Sequence, residues 1–167
     1  MRKGVVVIDT NLLVLLAVGG TSTEYIGMHR RLRDYDPVDF AVLEWLIDQF
    51  SELVLLPHIL AEASNLTRQI SNPVKGKIQG TLRALIDSTL ELPVASQFGA
   101  ARPEFLGLGL TDATILHLCT MEIEGIMPTL ITVDTDLANA AHSLGYSVVD
   151  YKEWQAPLKV EFLLTLR

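Results

Sequence analysis

The chain predicts an α/β fold, with a central parallel β-sheet flanked by helices. Three features carry that prediction. Short apolar, β-branched runs without polar alternation recur along it: Val5 to Ile8, Leu53 to Leu56, Thr129 to Val133 and Ser147 to Val149. Such runs fit strands buried on both faces. Segments with helical spacing separate them, as in βαβ units. Turn formers mark segment ends, as at Gly19-Gly20, Pro57 and Asn72-Pro73.

Taken in order, Gly4 to Ile8 reads as the first strand, and Leu12 to Val18 as a helix ending near Gly19-Gly20. Residues 19–36 are polar, with Arg30, Arg31 and Arg33 close together, and read as a loop or a short basic helix. Asp36-Pro37 forms an N-cap and first-turn pair, followed by Phe40, Leu43, Ile47 and Phe50 at helical spacing. Pro57 stops the second strand. Ile59, Ala63, Leu66 and Ile70 mark the next helix, broken by Asn72-Pro73, and Ile78, Leu82, Leu85 and Ile86 mark another. Gly107 to Leu110 reads as a loop before a helix over Thr111 to Glu124. After the third strand, Asp136 to Leu144 is helical, with Gly145 at the position of a left-handed C-cap. The fourth strand is Ser147 to Val149. A fifth is expected in Leu90 to Ala95 or in the tail after Tyr151.

The length, 167 residues, and the 49% hydrophobic content fit one domain with a substantial core. The domain is read over residues 1–167, with a core at about 4–150 and a C-terminal extension at 151–167 whose apolar character fits extra core or a partner-binding element. One cysteine, Cys119, excludes an intramolecular disulfide framework and sits in an apolar run, where a buried thiol is expected. The basic start followed by apolar residues superficially resembles a signal peptide, but Asp9-Thr10-Asn11 cuts the run. No stretch approaches the roughly 18 apolar residues of a membrane span. A soluble, cytoplasmic protein with no membrane partner is expected. His29, His58, His117 and His142 are scattered without ligand spacing and are assigned no catalytic role.

In parallel α/β sheets, ligands bind beyond the carboxyl ends of the strands. Several acids belong there. Asp9 directly follows the first strand, Asp134 the third, and Asp136 lies two residues on. Glu62 stands one turn into the helix after strand two, and Asp112 opens a later helix. Each taken singly has an ordinary explanation as a helix cap or as an acid favoured by a helix N-terminus. Asp9 is the hardest to explain that way, because unpaired acids are rarely buried between apolar runs. Gathered carboxylates repel, and a bound divalent cation removes the repulsion. Oxygen donors without histidine or cysteine suit Mg²⁺ or Mn²⁺, and the chemistry indicated is phosphoryl hydrolysis.

The segments VVVIDTNLLV, PHILAEASNL, GLGLTDATIL and LITVDTDLANAA, in that order from about residue 5 to residue 150, resemble the PIN-domain family, most closely its VapC-type toxin ribonucleases. The resemblance implies a three-layer fold with a five-stranded parallel sheet and a Mg²⁺- or Mn²⁺-dependent endoribonuclease, the toxin of a toxin–antitoxin pair. It maps the family's catalytic acids onto Asp9, Glu62, Asp112 and Asp134, with Asp136 helping a second metal. Thr10, Asn11 and Thr132 are expected to orient the carboxylates as surrounding donors. Water as nucleophile would leave a 5′-phosphate and a 3′-hydroxyl. The implied partners are RNA, an antitoxin covering the acidic groove with an Arg or Lys among the carboxylates, and a second copy in a homodimer. Residues 19–36 and the helix after them look longer than in compact toxins, and the tail is unusually apolar for a chain end.

The net charge of −7 weighs against gripping RNA mainly by phosphate neutralisation, although the four acids supply part of it. Arg30, Arg31 and Arg33, and separately Arg68, Lys75 and Lys77, are candidate phosphate contacts or ordinary solvated faces. Two other readings stay open. A haloacid-dehalogenase-like phosphohydrolase would use Asp9 as nucleophile, but its usual second acid is replaced here by Asn11. A PIN-like scaffold without catalysis would need no acids, and this chain has all four.

Overall fold

Val5–Ile8 forms β1, fully buried, at the centre of a five-stranded sheet. This is a computed structural model, and it describes residues 4–165. The basic start, Met1 to Lys3, and the last two residues of the apolar tail, Leu166 and Arg167, lie outside the described residues. The other strands are β2 (Glu52–Leu55), β3 (Leu90–Glu91), β4 (Thr129–Thr132) and β5 (Val148–Asp150). Their order is β3-β2-β1-β4-β5, and every pair is parallel. Ile8 lies opposite Ile131, and Thr132 opposite Asp150, so the strands' carboxyl ends share one edge. Helices α1 (Thr10–Thr21), α2 (Glu24–Met28), α3 (Pro37–Ile47), α4 (Pro57–Thr67), α5 (Val74–Ser88), α6 (Ser96–Ala100), α7 (Phe105–Leu108), α8 (Leu110–Leu118), α9 (Thr135–Ser143) and α10 (Tyr151–Thr165) flank the sheet. The three-layer α/β architecture is the one expected from the sequence. No helix among the described residues is long and apolar enough to cross a membrane.

The first helix departs from expectation at both ends. Asp9 caps it, accepting from the Leu12 amide, and it continues through Gly19-Gly20 to Thr21. Gly19 serves packing rather than termination: a Cβ there would stand 2.3 Å from Cδ2 of Phe40 on α3. The polar segment after it holds α2 and a 3₁₀ turn at Arg30–Leu32. At α3, Asp36 caps through a reciprocal capping box, its Oδ1 accepting from the Val38 and Asp39 amides while the Asp39 carboxylate accepts from the Asp36 amide. Phe50 falls outside α3, and Ile70 outside α4. The fifth strand is Leu90–Glu91, and the tail is helical instead.

Around α8 the expected loop and helix shift. Phe105–Leu108 is a helical turn, and the break is Gly109 alone, at φ 85°, a conformation that disfavours any side chain. The helix from Leu110 stops at Leu118, not Glu124, because the chain turns back through an Ile123–Ile126 bridge with Glu124 at φ 52°.

The tail docks by polar contacts as well as apolar ones. Tyr151 is fully buried and donates to the Asp39 carbonyl at 2.6 Å, and Leu158 is buried beside it. Lys159 Nζ lies 2.6 Å from the buried Asp39 carboxylate and 2.9 Å from that of Asp36, and Gln155 also donates to Asp39. The far half leaves Val160, Leu163 and Leu164 exposed. Lys159→Ala strands a buried carboxylate, and we expect a loss of about 2–4 kcal/mol in denaturant unfolding. Burial alone would raise the Asp36 carboxyl, but hydrogen bonds from Lys159 and the Asp39 amide, with the Lys159 charge, hold it below the ordinary range. That contribution is present above the unfolded value near 4 and is lost as pH falls through the depressed folded value, so the gap between wild type and Lys159→Ala should narrow below about pH 4.

Candidate active site

Asp9 stands at the carboxyl end of β1 and is 3% exposed. Its backbone places it in the sheet, the amide donating to the Ile131 carbonyl, while its side chain caps α1. One carboxylate oxygen accepts from the Leu12 amide at 2.8 Å; the other accepts from the Thr132 hydroxyl at 2.5 Å and the Val133 amide at 2.8 Å. Thr132, the last residue of β4, also accepts from the Asp134 amide at 2.9 Å. One buried hydroxyl thus ties two of the acids together. Asp134 caps α9, its Oδ1 taking the Asp136 and Leu137 amides at 2.9 Å each.

Glu62 projects from α4 and is exposed, and its Oε2 accepts from the buried Thr10 hydroxyl at 3.0 Å. Asp112 sits half-buried in the first turn of α8. Thr10 and Thr132 therefore hold the side chains of Glu62 and Asp9. Asn11 is exposed, makes no hydrogen bond to these carboxylates, and lines the neighbouring cavity with Asp136.

The acids sense one another. Burial first, then the charges of Asp134, Asp9 and Glu62, push the Asp112 carboxyl up to about 7. Burial pushes the Asp9 carboxyl up despite its three hydrogen bonds, with Asp134 adding to the shift. Burial, and after it the charge of Asp9, raises the Tyr35 hydroxyl. No described lysine or arginine forms an ion pair with Asp9, Glu62, Asp112 or Asp134.

These observations bear on a metal. The donors are carboxylate and hydroxyl oxygens, which suit a hard divalent cation, and the repulsion at Asp112 is what such a charge relieves. As they stand, however, no three acidic, histidine or cysteine side chains among the described residues are arranged to hold an ion. The electrostatic set is present without a preformed coordination shell, and Glu62 is its exposed member.

Beside Asp134 and Asp136 opens a cavity of about 450 Å³, also lined by Asn11, Arg31, Asp34, Tyr35 and Lys152. Tyr35 and Lys152 escaped the sequence reading. The signal for Lys152 was the one that found Asp9, since it follows the carboxyl end of β5. Tyr35 carried no signal in its own segment. Away from the site, Cys119 is 1% exposed and burial pushes its thiol up to about 12, which makes it a poor nucleophile. His58 pairs with the Ser96 hydroxyl and His117 stacks on Phe98.

Compared with models of known protein families and with curated proteins, the chain matches none.

Proposed function

We propose that this protein is a metal-dependent endoribonuclease of the PIN-domain kind that hydrolyses RNA phosphodiester bonds with water as nucleophile. The observation that carries the reading is the gathering of acids at the carboxyl edge of the sheet, where the Thr132 hydroxyl joins Asp9 to Asp134 and the neighbouring charges help to raise Asp112, with no described lysine or arginine paired to them. Asp9, Asp112 and Asp134 would hold Mg²⁺ or Mn²⁺ once drawn together from the arrangement seen, in which no three of them are placed to hold an ion, with Glu62 contributing directly or through water and Asp136 supporting a second ion. When bound, the cation supplies Lewis acidity toward a phosphate oxygen and acidifies water.

The chain's own groups set the geometry. The amides of Leu12 and Val133 and the Thr132 hydroxyl fix the Asp9 carboxylate, leaving a carboxylate lone pair for a ligand. Thr10 steers Glu62, and the α9 amides fix Asp134. The nucleophilic-aspartate alternative is weakened because the position two residues after Asp9 is Asn11 rather than a second acid. The resemblance in four ordered segments adds the biological reading: a cytoplasmic toxin whose antitoxin covers the acidic edge, in a chain that forms homodimers.

The test is cleavage of a labelled single-stranded RNA in Mn²⁺ or Mg²⁺, in EDTA, and by Asp112→Asn and Glu62→Gln. Wild type should cut, leaving 5′-phosphate ends. EDTA should abolish cutting, and Asp112→Asn should lower it on the order of a hundredfold or more. Cleavage that survives chelation and both substitutions overturns the assignment.

A further inference from the structure

The cavity beside the acids holds cations that the proposed chemistry does not use. Arg31 follows the short α2 segment and Lys152 follows β5, so residues 121 apart in the chain line one space with Asp34, Asp134 and Asp136. Neither Arg31 nor Lys152 forms an ion pair with a described residue. The Arg31 side chain donates only to Gln69 Oε1, at 3.3 Å, and both residues are exposed. Lys159 pairs with Asp36 and Asp39 and Arg102 with Glu104, while other cations such as Arg30 and Lys75 also form no ion pair with a described residue; what sets Arg31 and Lys152 apart is that they share one cavity beside the acids.

We infer that Arg31 and Lys152 form a phosphate clamp, holding the backbone phosphate of single-stranded RNA next to the one being cut. The inference rests on the ribonuclease reading and deepens it by giving the substrate a direction, across the β4–β5 side of the acidic edge. An arginine fork and a lysine point charge on the two walls suit a phosphate diester. The two cations offset part of the negative charge of Asp34, Asp134 and Asp136 around the cavity, so a phosphate meets positive groups there although the protein is acidic overall.

The probe is a fluorescein-labelled, mixed-sequence 12-nucleotide RNA. Binding is followed by anisotropy in Ca²⁺ over a range of KCl, and cleavage kinetics are followed in Mn²⁺. The variants are Arg31→Ala, Lys152→Ala, the double variant, Lys152→Arg and the control Arg83→Ala, which removes an 86% exposed charge on α5. Each single alanine should weaken binding roughly threefold to tenfold and lower the salt slope by about 0.7. KM should rise with kcat nearly unchanged, Lys152→Arg should retain binding, and Arg83→Ala should match wild type. Circular dichroism should show all variants folded, since the replaced side chains are exposed. A wild type that binds and cuts while the two alanine variants match it in affinity and salt slope overturns the clamp alone, as does an equal loss in Arg83→Ala. A wild type that neither binds nor cuts RNA overturns the ribonuclease reading and the clamp with it.

Discussion

Replacing Asp9 with asparagine is expected to destabilise the metal-free protein by about 1 kcal/mol, because the donor left unpaired outweighs the burial penalty that removing the charge relieves. The carboxylate accepts on both sides, from the Leu12 amide on one and from the Thr132 hydroxyl and Val133 amide on the other. An asparagine has one acceptor oxygen. Whichever way it turns, its NH₂ group faces a buried donor. Asp9→Ala leaves all three donors without a partner and should cost more, roughly 2–4 kcal/mol. Urea unfolding in EDTA checks both. A stability equal to wild type would mean that these contacts do not hold the edge together. Loss of activity in Asp9→Asn is therefore ambiguous, which is why Asp112 is the cleaner test of catalysis.

Asp112→Asn should act in the opposite direction. Its carboxyl is raised to about 7 by burial and by three neighbouring acids. A group whose folded pKa lies above its unfolded value weakens the folded state at pH above the unfolded value, and the penalty is complete above the folded one. Asparagine removes it. The metal-free variant should exceed wild type by roughly 1–3 kcal/mol at pH 8, an estimate reduced for the solvent that reaches this half-buried site. The gain should fade through the window from about pH 7 down to pH 4. Unfolding curves in EDTA at pH 8 and pH 4 test this, and equal stability of the two proteins at pH 8 would contradict it. Two acids of one edge, with opposite effects on stability, distinguish a structural carboxylate from a repelled one.

How far the sequence could be read depended on local signal. The buried strands β1, β2 and β4 announce themselves as apolar runs, and topology alone then puts Asp9 and Asp134 on one edge. β3 has two residues, both exposed, so no periodicity marks it. The Gly19-Gly20 pair looked like a stop because glycine often ends helices, yet Gly19 is there for the Phe40 ring. α8 was read too long because apolar residues continue past Cys119, and the turn at Glu124 precedes the glycine that would have signalled it. In the tail, Pro157 argues against a helix, but α10 runs through it, docked by Tyr151, Gln155 and Lys159 onto α3. Tertiary contacts decide such elements, and they leave no local trace. The same holds at the site. The family resemblance named both Thr132 and Asn11 as carboxylate-orienting donors; Thr132 donates to Asp9, whereas Asn11 lines the neighbouring cavity.

The central claim is that the carboxylates of this edge share a hard divalent cation. Calorimetric titration of Mn²⁺ into the metal-free wild type and into Asp112→Asn tests it without reference to any substrate. The account predicts saturable binding to wild type, weakened on the order of tenfold or more in the variant. Absence of saturable binding to wild type, or equal affinity in the two proteins, would contradict it.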